Sequence, residues 1–254
     1  MCKLKKGEFA VTNKQRTDAV GKVLVIALLM VLNLAFDSVC AQNKQKQKLW
    51  TMNFGLDTCS FVSTGKTTYF VLEPGYRLTL QGKEDNKTVE LVITVLNETK
   101  KIGNIETRVV EERETVEGKL TEVSRNYFAI CMRTNNIFYF GEDVDVYKNG
   151  KIDNHDGTWH AYSNHARPGL MMPGTVLLGA RYYQEIAPNI AMDKAEIKSA
   201  TETFDIPAGK FKNCLKVEER SDLEPKNKEY KFYAPGVGLI RDGDLRLIKY
   251  GFVE

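Results

Sequence analysis

Two short acidic runs flank Asn149-Gly150, and their residue types could do chemistry: Asp143 and Asp145 before the turn, Asn154 and Asp156 after it. Asn-Gly is a strong hairpin signal, because a type I′ turn needs φ > 0 at both central residues. Counted outward from that turn, Lys148 faces Lys151, Tyr147 faces Ile152, Asp145 faces Asn154 and Asp143 faces Asp156. Alternation along a strand then predicts that Asp143, Asp145, Asn154 and Asp156 share one face, with Glu142 on the other. Directly opposed aspartates repel each other, so a cation, a water or a bend must relieve them. Ca²⁺ takes several carboxylate and carbonyl oxygens, which makes this hairpin a candidate divalent-cation site with His155 beside it. It is not an EF-hand: no D-x-D-x-D-G run occurs, and Tyr147 stands where the fifth-position ligand belongs. The competing reading is a solvated loop whose aspartates accept backbone N–H bonds.

The three histidines, His155, His160 and His165, lie within the same stretch. Imidazole is a common transition-metal ligand, and zinc sites gather three or four such groups. A spacing of five places neighbouring histidines on opposite faces of a continuous strand, so a bend is required to converge them. Elsewhere the chemistry is thin. Gly65-Lys66-Thr67 lacks the earlier glycine of a phosphate-binding loop, with Ser60 in its place. No G-x-S-x-G elbow occurs. Trp159 stands among many aromatic residues, and Leu170-Met171-Met172 is an apolar triplet between two Pro-Gly pairs. Aromatic packing across strands explains the first, and a plug over the end of a core explains the second. The functional alternative is an apolar cavity in a partly open barrel, with Trp159, Met171 and Met172 as ligand contacts.

These residues need strands to position them, and the chain supplies strands. Thr88–Leu96 puts Val89, Leu91, Ile93 and Val95 on one face, the pattern of a half-buried strand. Tyr76–Gly82 also alternates. Ile105–Val116 and Leu120–Met132 flank Glu117-Gly118, a second hairpin signal, and Asp242-Gly243 is a further one. Tyr162–Thr175 reads as the longest break, punctuated by Pro168-Gly169 and Pro173-Gly174. Asp193–Ala200 is the one stretch in the domain with helical propensity, and eight residues are marginal for a helix. The expected fold is all-β: an antiparallel meander curled into a barrel or half-barrel, in a single domain over residues 50–254.

The first forty-one residues read as a signal peptide. Basic residues lead into Val23–Phe36, an uncharged run of fourteen that is too short to span a bilayer as a helix, which needs ~20. Val39-Cys40-Ala41 supplies small residues for cleavage. An uncleaved anchor and lipidation at Cys40 are the alternatives. Residues 42–49 are a polar spacer. Of 36 basic and 33 acidic residues in the whole chain, the leader holds six and three, which leaves 30 of each. A neutral domain has no nucleic-acid footprint. Three cysteines remain after the leader, Cys59, Cys131 and Cys214. An exported chain permits one disulfide among them, spacing does not select the pair, and three buried thiols are the alternative.

Leu72–Arg77 (LEPGYR), Thr107–Glu114 (TRVVEERE), Tyr139–Asp145 (YFGEDVD), Pro207–Lys216 (PAGKFKNCLK) and Tyr233–Ile240 (YAPGVGLI) together resemble an uncharacterised family of exported bacterial β-rich proteins. The resemblance spans most of the domain. It implies export and a β architecture and transfers no catalytic residue. The expectation is therefore a periplasmic or extracellular, non-catalytic binding module of the cell envelope. Its partner would be a small apolar molecule or an envelope protein, with membrane contact only through the leader. A metal-dependent enzyme at the acidic hairpin is the second expectation and a structural scaffold the third.

Overall fold

The computed structural model describes residues 49–253. The expected signal peptide and the spacer up to residue 48 lie outside the described residues. Eighteen strands follow in chain order. Three short ones open the domain: β1 (Phe61–Val62), β2 (Gly65–Lys66) and β3 (Val71–Leu72). Five long ones form a meander: β4 (Tyr76–Glu84), β5 (Lys87–Ile102), β6 (Ile105–Val116), β7 (Lys119–Cys131) and β8 (Asn136–Lys148). Five shorter ones come next: β9 (Lys151–Asn154), β10 (Trp159–His160), β11 (Arg167–Met172), β12 (Arg181–Tyr183) and β13 (Glu185–Ile186). The chain ends with β14 (Asp193–Ile206), β15 (Gly209–Ser221), β16 (Glu229–Ala234), β17 (Gly238–Asp242) and β18 (Leu245–Phe252).

The main sheet runs β12-β14-β15-β16-β17-β18-β4-β5-β6-β7-β8-β11-β13, and every pairing in it is antiparallel. Its two outermost strands, β12 and β13, are separated in sequence only by Gln184. One extended segment therefore pairs with β14 through its first half and with β11 through its second. The sheet closes on itself into a nearly complete barrel, which removes the exposed edges that an open sheet would present.

Alternation decides what the barrel encloses. Cross-strand partners share a face, so Leu78, Ile93 and Glu112 lie on one side and so do Asn126 and Glu142. Towards one end this inner face is apolar: Leu78, Val95, Val110 and Phe128 close it with Tyr69 and Val71 from the chain before β4. Arg108 is buried there and donates to the carbonyls of Ser63 and Glu98 and to Thr64 Oγ1, holding the β1–β2 turn against the barrel floor. The hairpin turns at 85–86, 117–118 and 149–150 gather at the other end, which is the polar rim.

The outer face of β7 and β8 is also apolar at one place, and the N-terminal arm covers it. Phe54 and Phe61 pack edge-on against Phe138, and Phe61 against Phe140. A disulfide between Cys59 and Cys131 pins this arm to β7, while Cys214 is a buried thiol. That resolves the pairing which spacing left open.

Three local expectations are corrected. Residues 162–175 are not one long break, because Arg167–Met172 forms β11. Gly169 makes that strand possible: a Cβ there would sit 2.1 Å from the Gln184 carbonyl oxygen, so only glycine allows the approach of 181–186. Asp193–Ala200 is not helical but lies within β14, where Ala195 and Ile197 bury one face against β15. Tertiary pairing overrides a short stretch of helical propensity. The last hairpin turns at Gly243-Asp244, since Asp242 already pairs with Leu245.

Candidate functional site

The hairpin at Asn149-Gly150 forms as expected, with both residues at positive φ (54° and 75°) and Tyr147 opposite Ile152. Beyond that pair the register slips. Val146, not Asp145, lies opposite Asn154, because Asp153 is an extra residue on the returning strand. A slip of one residue moves every later side chain to the other face. The four-oxygen face of Asp143, Asp145, Asn154 and Asp156 therefore does not assemble as counted. Asn154 Oδ1 instead accepts the backbone N–H of Asp156 at 3.0 Å, an Asx turn of the solvated-loop kind.

Asp143 and Asp145 do share a face, the outer one, where neighbouring strands neutralise them. Asp143 Oδ2 receives Lys100 Nζ at 2.7 Å and the Tyr127 hydroxyl, and Oδ1 lies 2.8 Å from His160 Nε2. Burial opposes ionisation of Asp143, but these hydrogen bonds outweigh it and hold its carboxyl below the ordinary value. Arg125 reaches Asp145 at 3.1 Å, and His155 Nδ1 lies 2.9 Å from the other oxygen of Asp145. The three histidines diverge: His155 and His160 attach to different aspartates, and His165 is exposed in a turn with φ of 65°. Among the described residues, no three His, Cys, Asp or Glu side chains are arranged to hold a metal ion.

Glu142, one residue away, points the other way, into the barrel. It comes within reach of Glu112 on β6, Glu185 on β13 and Glu122 on β7. Glu219 from β15 and Asp242 from β17 approach from the opposite wall, both bonded to Lys231 of β16, at 3.1 and 3.5 Å. Among the described residues, the ion pairs of this cluster all run through Lys231. Glu112, Glu142 and Glu185 keep some accessible surface, and Glu112 borders the interior cavity. Burial, followed by repulsion from neighbouring carboxylates, raises all three. Glu112 is pushed up to about 7, where Lys231 partly offsets the burial, and Glu142 to about 8 although the nearby Tyr139 hydroxyl favours its ionised form. Glu185 moves in the same direction for the same reasons.

Below the carboxylates the lumen becomes an apolar cavity of about 80 Å³. Phe70, Leu78, Val95, Val110 and Phe128 form its walls, and Glu112, Lys231 and Asp242 its polar edge. Of the ligand contacts expected from sequence, Met171 lines this cavity and accepts a long contact from Gln184 Nε2 at 3.7 Å. Met172 is fully buried in the core. Trp159 lies opposite Glu142 and packs edge-on against Tyr139. It is buried, and its indole N–H has no hydrogen-bond partner.

Gly141 positions this wall. β8 carries an extra residue between Tyr139 and Glu142, and Gly141 sits in that bulge at φ 134°. A Cβ there would lie 2.3 Å from the Trp159 carbonyl oxygen. Gly141→Ala is expected to lower unfolding free energy by about 3 kcal/mol through backbone strain and forced separation of β10. Urea unfolding followed by tryptophan fluorescence measures it; a change within ~0.5 kcal/mol would show that the bulge does not need glycine.

The interior carboxylates were not grouped by the sequence reading because each comes from a different strand; Glu142 was placed only on the face opposite Asp143. The available signal was a glutamate sharing a face with a buried apolar residue, as Glu112 does with Val110. Fold and site together define an antiparallel barrel with an apolar floor and an acidic lumen. In comparisons with protein-family models, curated proteins and solved structures, the chain matches none.

Proposed function

We propose that this chain is an exported, non-catalytic binding module of the cell envelope that holds a small apolar or amphiphilic molecule in its lumen. The observation that carries the reading is the cavity walled by Phe70, Leu78, Val95, Val110 and Phe128, inside a barrel whose opposite end is polar. Small-molecule sites are concave and mostly apolar, with a few polar groups to orient the ligand. Met171 suits such a wall, since an unbranched thioether adapts to different shapes. Export is supported by the basic start followed by the apolar run 23–36, and by a disulfide of the kind that persists in oxidising compartments. We place the protein with the exported β-rich proteins that its LEPGYR, YFGEDVD, PAGKFKNCLK and YAPGVGLI stretches resemble.

The test uses N-phenyl-1-naphthylamine, an uncharged apolar dye that brightens out of water. Saturable binding near one dye per chain is expected. Val110→Phe should weaken it at least tenfold by filling the cavity, with Leu239→Trp as a second variant should the first not fold. No saturable binding, or equal binding by folded variants, would remove the reading.

A further inference from the structure

Going further on that reading, the geometry points to a ligand with a protonated amine head: an alkylammonium whose charge sits among Glu112, Glu142 and Glu185 while its hydrocarbon chain enters the apolar cavity. Three features carry this. The first is sign. Carboxylates from β6, β8, β15 and β17 lie on the inner face, Glu185 of β13 interacts with that of Glu142, and Lys231 is committed to Glu219 and Asp242 on one wall. The opposite wall holds Glu112, Glu142 and Glu185, whose ionisation burial and neighbouring carboxylates suppress. A cation entering there favours their ionised forms, with release of their protons to solvent, and is attracted in a region of low dielectric, where such terms are larger than in water.

The second feature is independent of the acids. Tyr182 is 3% exposed, and its hydroxyl has no hydrogen-bond partner. Its cross-strand neighbour is Ala195, itself opposite Glu219, so the ring lies on the inner face. An unmatched buried hydroxyl is unfavourable and is satisfied when a ligand N–H donates to it. The third is the aromatic wall. Tyr139 and Trp159 stand beside Glu142, and aromatic faces attract cations. A bare metal ion would need convergent oxygens, which these dispersed carboxylates do not supply. An ammonium head with an apolar tail matches both halves of the lumen.

The experiment compares three ligands that share one tail: octylamine, octanol and octanoate, titrated calorimetrically into the oxidised protein at pH 7. Octylamine is expected to bind at least tenfold more tightly than octanol, and octanoate more weakly than either. Glu142→Gln and Glu185→Gln should each reduce octylamine affinity several-fold and leave octanol unchanged, with melting curves confirming that both variants fold. Octanol binding as tightly as octylamine would overturn the amine assignment and leave the apolar-cavity reading standing. Tighter binding of octanoate would overturn it too, by assigning the head to Lys231. Failure of all three to bind would remove the cavity reading together with the inference.

Discussion

The protein is expected to be more stable at pH 5 than at pH 8.5, by about 4 kcal/mol. A carboxylic acid that titrates near 4.5 in the unfolded chain and higher in the folded one keeps its proton longer when folded. Its contribution to stability is complete below about 4.5 and is lost as pH rises through the folded value. Glu142 at about 8 and Glu112 at about 7 put that window between about 4.5 and 8. Each unit of difference is worth about 1.4 kcal/mol. The two groups repel each other, so the shared repulsion counts once, and their partial exposure weakens the rest, which gives about 4 kcal/mol for the pair. Groups held low, Asp143 and also Glu196, the latter at about 2, lose their contribution only in stronger acid and leave this window clear. Urea midpoints at pH 5, 6, 7 and 8.5 measure the slope. Glu142→Gln should flatten it and stabilise the protein at pH 8.5 by about 2 kcal/mol. A flat or rising profile in the native protein would mean that the lumen carboxylates are as well solvated as surface ones.

Removal of the Cys59–Cys131 bond is the other large effect. The two cysteines are 72 residues apart, and a cross-link closing a loop of that size restricts the unfolded chain by about 4 kcal/mol. The native-state consequence is local. The arm carrying Phe54 and Phe61 covers Phe138 and Phe140, and without its anchor those rings are exposed more often. Cys59→Ser with Cys131→Ser should therefore lower the unfolding free energy by about 4 kcal/mol and raise amide exchange in residues 53–62 most. Reduction of the native protein should reproduce the change, while Cys214→Ser should not bring the same loss. Equal stability of oxidised and reduced protein would show that arm packing alone holds the segment.

Much of the architecture was legible in residue order. Period-two alternation from Val89 to Val95 needs no tertiary information, because a strand exposes alternate residues to opposite sides. Asn149-Gly150 and Glu117-Gly118 announced their turns, since few residue pairs accept the backbone they require. The turn at Asp85-Asn86, with φ of 47° and 65°, uses the same left-handed backbone without a glycine. Asp193–Ala200 read as helical because propensity is local, whereas its burial against β15 is not.

The site is the reverse case. The acidic hairpin drew attention because its aspartates are close in sequence. One extra residue, Asp153, undoes the facing pairs, and the alternation that groups Asp143 with Asp145 sends them outward to Lys100 and Arg125. Glu142, between Gly141 and Asp143, is turned inward by the same rule. Its companions, Glu112, Glu185, Glu219 and Asp242, are scattered over 131 positions of chain and meet only because the sheet closes.

By itself, then, the order of residues determined that the chain makes antiparallel strands, where most of them turn, and which side chains share a face. The tertiary structure alone decided which face is the inside and which distant carboxylates confront one another there. Alternation is a property of one strand and its neighbours, but enclosure depends on how segment 181–186 joins both edges of the sheet.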